Sequence, residues 1–400
     1  MIELLRGVRV VECAVLFNGD QTGRILGDLG ADVIKVEAPG VGDYLREFLG
    51  QISPHNSPAH LYANRNKRSM TANLRSEEGR AVFFDLLQTA DIFVDGFASD
   101  ACTRLGIGYA EQRERKPGII YCQCSGFGAR GPYAEIPTHG GMMGALAGEP
   151  VLEMCDDGFV RPVEGGNGDG TVAGAINTVV TALAALRYRD RTGKGAYIDC
   201  AGSDAVLAQN WYGAVYEWND ARITDRRGMA TSLTNKSKYQ YYETKDRRFI
   251  LFCGIEHKFW NYFCRVIGRD DLIEHKDETT PVDFGTGDVA LRRELQEIFH
   301  TRTLEEWVEL ARKHDIAMSP KHSLREIPAD PHFRARGTVH ESVHPDAGPF
   351  TAVAWPAAVE GQPFEVERAA PALGQHTAEI LGELGYEAER IQALAEAGAL

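Results

Sequence analysis

Residues 8–36 read VRVVECAVLFNGDQTGRILGDLGADVIKV, and this stretch decides the fold. Val8 to Glu12 reads as a short strand, Asp20 to Leu29 as a helix ended by Gly30, and Ala31 to Val36 as a second strand. Two strands joined by a helix must pair in parallel, because a crossover of that length returns the chain to the same end of the sheet. The pattern continues outward. Glu77–Gln88 reads as a helix, Asp91–Asp95 and Gly118–Cys124 as strands, and Gly170–Tyr188 as a long helix with apolar residues at Val172, Ile176, Val179, Val180, Leu183 and Leu186. Ala196–Cys200 reads as another strand. Strands alternating with helices indicate an open α/β sheet.

The stretch Asn219–Lys238 is polar and reads as a linker. Tyr239–Glu243 and Phe249–Cys253 then read as two strands joined by a turn at Lys245-Asp246, opening a smaller α+β region. Pro328–Pro363, rich in Pro, Gly and His, reads as an extended connection, and Thr377–Leu384 and Glu387–Ala397 as closing helices. The expected layout is a large domain over 1–200, a linker over 201–238, a small domain over 239–325 and a return to the large domain over 326–400.

The 400 residues carry a formal charge of −14. Such an acidic chain is a poor candidate for binding nucleic acid, and an anionic ligand would need a local basic patch. No apolar run is read as approaching a membrane span, and no leader pattern precedes the first strand, so the expectation is a cytoplasmic protein without membrane attachment. The eight cysteines are scattered without zinc-like spacing; Cys122 and Cys124 fall on one face of a strand and read as buried reduced thiols.

Several motifs carry chemistry. Gly126-Phe-Gly-Ala-Arg-Gly131 matches G-x-G-x-x-G after a strand, but Pro132, Pro137 and Gly140-Gly141 argue against the helix that a dinucleotide site requires. It reads instead as a glycine-rich turn beside a ligand. The basic run Asn64-Arg-Asn-Lys-Arg-Ser69 is either a solvated loop or a phosphate grip, with Arg75 and Arg104 as further members. Asp169, between glycines and just before the long apolar helix, reads equally as an N-cap and as an approachable nucleophile. His139 precedes Gly140-Gly141 in a loop. Glu243, His257 and His322 have no spacing signal, and no serine elbow, Walker loop or H-E-x-x-H motif occurs.

In order along the chain, Leu5–Glu12, Leu29–Glu37, Gly42-Asp43, Arg46, Asn64–Ser69, Ala90-Asp91, Phe97, Arg104–Tyr109, Ser125–Pro132, Asp169, Arg191–Gly195, Asp330-Pro331, Ala335–Gly337 and Pro371–Thr377 resemble the family III CoA-transferases. The resemblance implies a Rossmann-like large domain built from both chain ends, a smaller inserted domain and two interlocked subunits, with a paralogue as a possible partner. It places Asn66, Lys67, Arg68, Ala72, Arg75, Phe97 and Arg104 against the CoA nucleotide. Asp169 falls on the family's catalytic aspartate. The implied reaction moves coenzyme A between an acyl-CoA and a free carboxylic acid through a mixed anhydride and an aspartyl-CoA thioester, with no metal and no cofactor beyond coenzyme A. A non-catalytic partner subunit would have no need of Asp169.

The chain departs from the pattern at Gly96, at His139-Gly140, at Gly144 and near Thr231–Tyr239, where Lys236-Ser-Lys238 stands in place of a glycine-rich loop. In the racemase branch of the family a His at position 139 works with the aspartate as an acid–base pair. The alternative is therefore a 2-methylacyl-CoA racemase using His139 and Asp169, with Glu243 near a glutamate of that branch. Phe17, Trp211 and Tyr212 point to an acid bulkier or more apolar than formate or oxalate.

Overall fold

A computed structural model describes residues 2–97, 100–162, 169–224, 236–273 and 282–400. Its contacts group the chain into two units, residues 1–217 with 335–400, and residues 218–334.

The larger unit is organised by strands β1 (Arg9–Ala14), β2 (Asp32–Glu37), β3 (Lys67–Thr71), β4 (Ile92–Gly96) and β5 (Ile120–Ser125). A short hairpin, β6 (Leu152–Met154) with β7 (Val160–Pro162), precedes β8 (Ala196–Ala201). β3-β2-β1-β4-β5-β8 form one parallel sheet, with Arg9 opposite Asp32, Val10 opposite Ile92 and Ile120 opposite Ala196. The order runs outward one way from β1 to β3 and the other way from β4 to β8. The reversal lies between β1 and β4, where α/β sheets bind ligands at their carboxyl ends.

Side chains alternate between the two faces of the sheet. Val10, Val33, Ile92, Val94 and Ile120 enter a core with helix Phe17–Asp28 and helix Gly170–Thr192. Val11, Ile34, Val36, Phe93 and Tyr121 enter a second core with Val82 and Phe83, closed by Ile380, Leu381, Leu394 and Ala399 from the far end of the chain. Both faces being covered explains why these strands are apolar runs rather than half-polar ones.

Helix Gly170–Thr192 is long and apolar enough to cross a membrane by length and composition, which the sequence reading did not anticipate. Its Ala173, Ala175, Thr178, Val179 and Ala182 are buried within the unit, and its small residues let the neighbouring helices approach. Gly193, in the left-handed conformation, ends it.

Three other expectations are corrected. The basic run is not a loop: from Lys67 it is β3, an edge strand whose polar side chains find partners inside the unit. The expected linker 201–238 opens with helices Gly202–Gln209 and Trp211–Asn219, built from good helix formers and aromatics. The extended connection contains an antiparallel hairpin, β12 (Val339–His344) with β13 (Gly348–Val353), turned at the left-handed Gly348.

In the smaller unit, β9 (Tyr239–Glu243), β10 (Phe249–Cys253) and β11 (Met318–Lys321) form an antiparallel sheet in the order β11-β10-β9. Phe252, Trp260, Phe263, Phe299 and Trp307 fill its core.

Candidate active site

The carboxyl ends of the central strands carry the site, and buried charge fixes their geometry. Between β1, β2, β3 and helix Phe17–Asp28, two ammonium groups meet three carboxylates. Lys35 Nζ lies 3.1 Å from Glu12, 2.5 Å from Asp20 and 3.0 Å from Asp43. Lys67 Nζ lies 2.8 Å from Glu12 and also donates to Asn64 Oδ1 and the Asp20 carbonyl. Burial pushes the Glu12 carboxyl up, but Lys67 and Lys35 outweigh it and hold the carboxyl below its usual range. Burial raises Asp20 and Asp43, which also face one another. Charges in water-free surroundings need such partners.

Asp43 Oδ1 accepts from the backbone N–H of Leu16 at 3.0 Å and of Leu45 at 2.9 Å. Leu16 has φ of 60° and ψ of −150°, a conformation that an L-residue adopts only when its surroundings enforce it. It starts helix Phe17–Asp28 at the sheet's reversal. There Gly19 and Gly96 are in close approach: a Cβ at 96 would lie 2.9 Å from Gly19 Cα and 2.6 Å from Ala14 Cβ. The glycine at 96 thus has a packing cause.

Two adjoining cavities open at this edge, both lined by Leu16, Phe17, His139, Gly140 and Thr171. The first, about 240 Å³, extends to Tyr44, Gly96, Phe97 and the turn Ser125–Phe127. The second, about 470 Å³, holds Asp169 with Phe48, Gly144, Glu149 and Pro150. Phe17 and Phe48 meet edge to face at 5.4 Å.

Asp169 is the N-cap of helix Gly170–Thr192. Its Oδ1 accepts from Thr171 N at 2.9 Å and from Thr171 Oγ1 at 2.5 Å. No hydrogen bond from a described residue falls on Oδ2, and the residue is exposed. The two readings of Asp169 are therefore compatible: one oxygen caps the helix, and the residue itself lines the cavity. Gly170 is required by packing, since a Cβ there would sit 2.6 Å from that of Met143. The preceding Glu164–Gly168 stretch lies outside the described residues, as does 231–235.

His139 precedes helix Gly140–Leu146 without a side-chain capping bond and lines both cavities, with no hydrogen bond to Asp169. Phe97 lines the first cavity, its N–H held 3.1 Å from Asp95 Oδ1. Burial raises Asp95, which also accepts from Tyr121 Oη at 2.6 Å.

The side chains of the basic run are engaged inside the unit. Asn66 bonds Asp28 and the N–H groups of Glu367 and Arg368. Lys67 is engaged as above, and Arg68 pairs with Asp32, Glu379 and Glu383. All three are buried by internal carboxylates or amides, which a charge count in sequence does not reveal. Ala72 is buried behind β3. Of the expected nucleotide contacts, Arg75 and Arg104 are exposed cations, Arg104 paired with Asp100.

In the smaller unit Glu243 lies 3.1 Å from His300 Nε2, and His322 lies 3.2 Å from Asp330. The thiols of Cys122 and Cys124 are buried and free, and burial pushes Cys124 up to about 12. Asp43 and Asp95 were not singled out as site residues by sequence reasoning; for Asp95, an acid at a strand's carboxyl end was the available signal.

The model of CoA-transferase family III matches residues 5–377. The chain is 32% identical over 394 residues to succinate–glutarate CoA-transferase of Agrobacterium fabrum, covering 95% of each. It is 28% identical to (R)-2-hydroxy-4-methylpentanoate CoA-transferase of Clostridioides difficile, covering 97% of each. A CAIB/BAIF family protein from Brucella suis, of known crystal structure, superposes with a TM-score of 0.74 at 28% identity, over 96% of this chain and all of that one. With a doubly wound sheet, a cleft at its reversal and a family match over nearly its whole length, this chain belongs to CoA-transferase family III.

Proposed function

We propose that Asp169 is the nucleophile of a CoA transfer between an acyl-CoA and a free carboxylate, the activity for which the relatives are named. The observation that carries this reading is the division of labour within its carboxylate. Oδ1 is fixed by Thr171, Oδ2 receives no hydrogen bond from a described residue, and Asp169 lines a cavity whose wall is partly bare backbone at Gly140, Gly141 and Gly144.

Asp169 attacks the thioester carbonyl, the C–S bond breaks, and CoA thiolate leaves an aspartyl–acyl anhydride. The thiolate then attacks the aspartyl carbonyl, the anhydride C–O bond breaks, and the first acid departs as its carboxylate, leaving aspartyl-CoA. The acceptor carboxylate attacks that thioester, displacing thiolate, and the thiolate takes the new acyl group from the resulting anhydride. Asp169 is restored and no proton is consumed. Covalent catalysis replaces one difficult exchange by easier steps. The N–H groups of Gly140 and Gly141 are the candidate donors to the oxyanions. The nucleotide lies toward Phe97, Arg75 and Arg104. The same reading carries an interlocked dimer, which sedimentation would detect.

The test is hydroxylamine trapping after incubation with acyl-CoA thioesters. A hydroxamate on the Asp169 peptide is the expected result. No hydroxamate from enzyme that binds CoA, together with exchange of the substrate α-proton into heavy water, would overturn the reading in favour of proton transfer between His139 and Asp169.

A further inference from the structure

We infer that the acyl groups exchanged here are monocarboxylic, with an apolar end away from the thioester, and that dicarboxylates are poor substrates. The inference rests on the transferase reading and concerns the chamber around Asp169.

Three observations carry it. The chamber's volume, about 470 Å³, falls within the ~300–1,000 Å³ of small-molecule sites and leaves room beyond the reacting carboxyl. Much of its lining is apolar: Leu16, Phe17, Phe48 and Pro150 contribute to it, with Phe17 edge to face against Phe48. Three further lining positions, Gly140, Gly141 and Gly144, bring no polar side chain into the chamber.

The chamber's charge points the same way. Among the described residues that line it there is no lysine and no arginine. Its ionisable groups are His139, Asp169 and Glu149, the last half-buried with its Oε1 accepting from Asn210 at 2.8 Å. One carboxylate is needed for the reaction. A second one, at the far end of the substrate, would leave water for a largely apolar lining with no lysine or arginine among its described residues and with Glu149 nearby. An unpaired charge in such surroundings is costly. An apolar tail gains instead, by about fourfold in affinity for each methylene buried.

The experiment uses the full-length enzyme with butyryl-CoA as donor and a panel of acceptors, with CoA products separated by chromatography. Butyrate, hexanoate and phenylacetate are compared with succinate and glutarate. The expected result is a kcat/KM for hexanoate at least about tenfold above that for glutarate. In a Phe48→Arg variant the ratio should shift toward glutarate by about tenfold or more. Transfer that favours glutarate or succinate in the wild-type enzyme would overturn the inference and leave the transferase reading standing. No transfer to any acceptor and no Asp169 hydroxamate would overturn that reading, and this inference with it.

Discussion

The carboxylate of Asp43 holds the backbone N–H of Leu16 at 3.0 Å across 27 residues of chain. Leu16 is in a left-handed conformation that costs an L-residue roughly 1–3 kcal/mol. It lines both cavities beside Phe17. Asp43 is itself oriented by Lys35, and its N–H by Glu37 at 3.1 Å. Replacing Asp43 with Ala removes the acceptor and lets the turn relax. The expected outcome is a kcat/KM lower by about tenfold or more. Asp43→Asn, which keeps an acceptor oxygen but loses the charge facing Lys35, should fall between the two. Steady-state kinetics with one acyl-CoA donor and one acceptor checks both.

Asp169 has two duties that substitution can separate. Asparagine caps a helix about as well as aspartate, whereas alanine costs ~1 kcal/mol. Asp169→Asn should therefore match the wild type in thermal stability, Asp169→Ala should melt slightly earlier, and both should lose transfer by a factor of about a thousand or more. Thermal melts alongside product assays separate the roles. A melt of Asp169→Asn as low as that of Asp169→Ala would contradict the cap.

The positive charges divide into two groups with opposite expected behaviour. Lys67→Met leaves Glu12 and Asp20 facing Lys35 alone in a fully buried setting, and should destabilise the fold by roughly 3–5 kcal/mol. Arg75→Gln and Arg104→Gln alter exposed side chains. They should leave stability unchanged and raise KM for acyl-CoA several-fold, an effect that shrinks as salt is added. Denaturant titrations and KM measured at two ionic strengths discriminate the groups.

His60 gives the fold a dependence on pH. Burial, then Arg46 and Lys35, lower its pKa from 6.5 to about 3. Its Nε2 lies 3.3 Å from the Pro371 carbonyl and 3.0 Å from Arg46 Nη1, while Nδ1 lies 3.1 Å from Asn64 Nδ2, so a second proton, on Nδ1, would meet a donor. The unfolded chain protonates near 6.5 and the folded chain does not. The contribution is thus fully present above that pH and declines as pH falls toward 3, by about 2 kcal/mol at pH 5. A His60→Gln variant should show a flatter stability profile between pH 7 and 5 in urea titrations. A profile parallel to the wild type would contradict the assignment.

Gly96 tests how closely the helix start sits on the sheet. A Cβ there meets the backbone of Gly19 rather than a movable side chain. Gly96→Ala should cost ~1–3 kcal/mol, as overpacking does, and should lower activity by displacing the Leu16–Phe17 wall. Calorimetry and kinetics on the same preparation check it.

The β1–helix–β2 unit and the later strands could be read from sequence because burial on both faces leaves short runs dominated by apolar residues, such as Val10-Val11 and Val33-Ile34. Element ends shifted by a few residues, as at Phe17–Asp28, where the backbone turn at Leu16, held by Asp43, rather than periodicity sets the start. The hairpin Val339–Val353 escaped because its strands are half-exposed and lie in a Pro- and Gly-rich stretch that resembles coil. Asp169 was legible because glycines flanked it before a long apolar helix. The roles of Lys67 and Arg68 were not. A lysine on a strand looks solvated until tertiary packing brings Glu12 and Asp20 around it, and nothing local in the sequence records that encounter.

One face of the large sheet is closed by Ile380, Leu381, Leu394 and Ala399, and Asn73 donates its N–H to the carbonyl of Ala399. On a ribosome, the first 217 residues emerge with that apolar face bare. The whole 218–334 unit must be synthesised before its cover arrives, an interval of roughly 10–30 s at ordinary elongation rates. Nascent chains of this enzyme should accordingly engage chaperones through the early strands and leave them only once residues 380–399 have emerged.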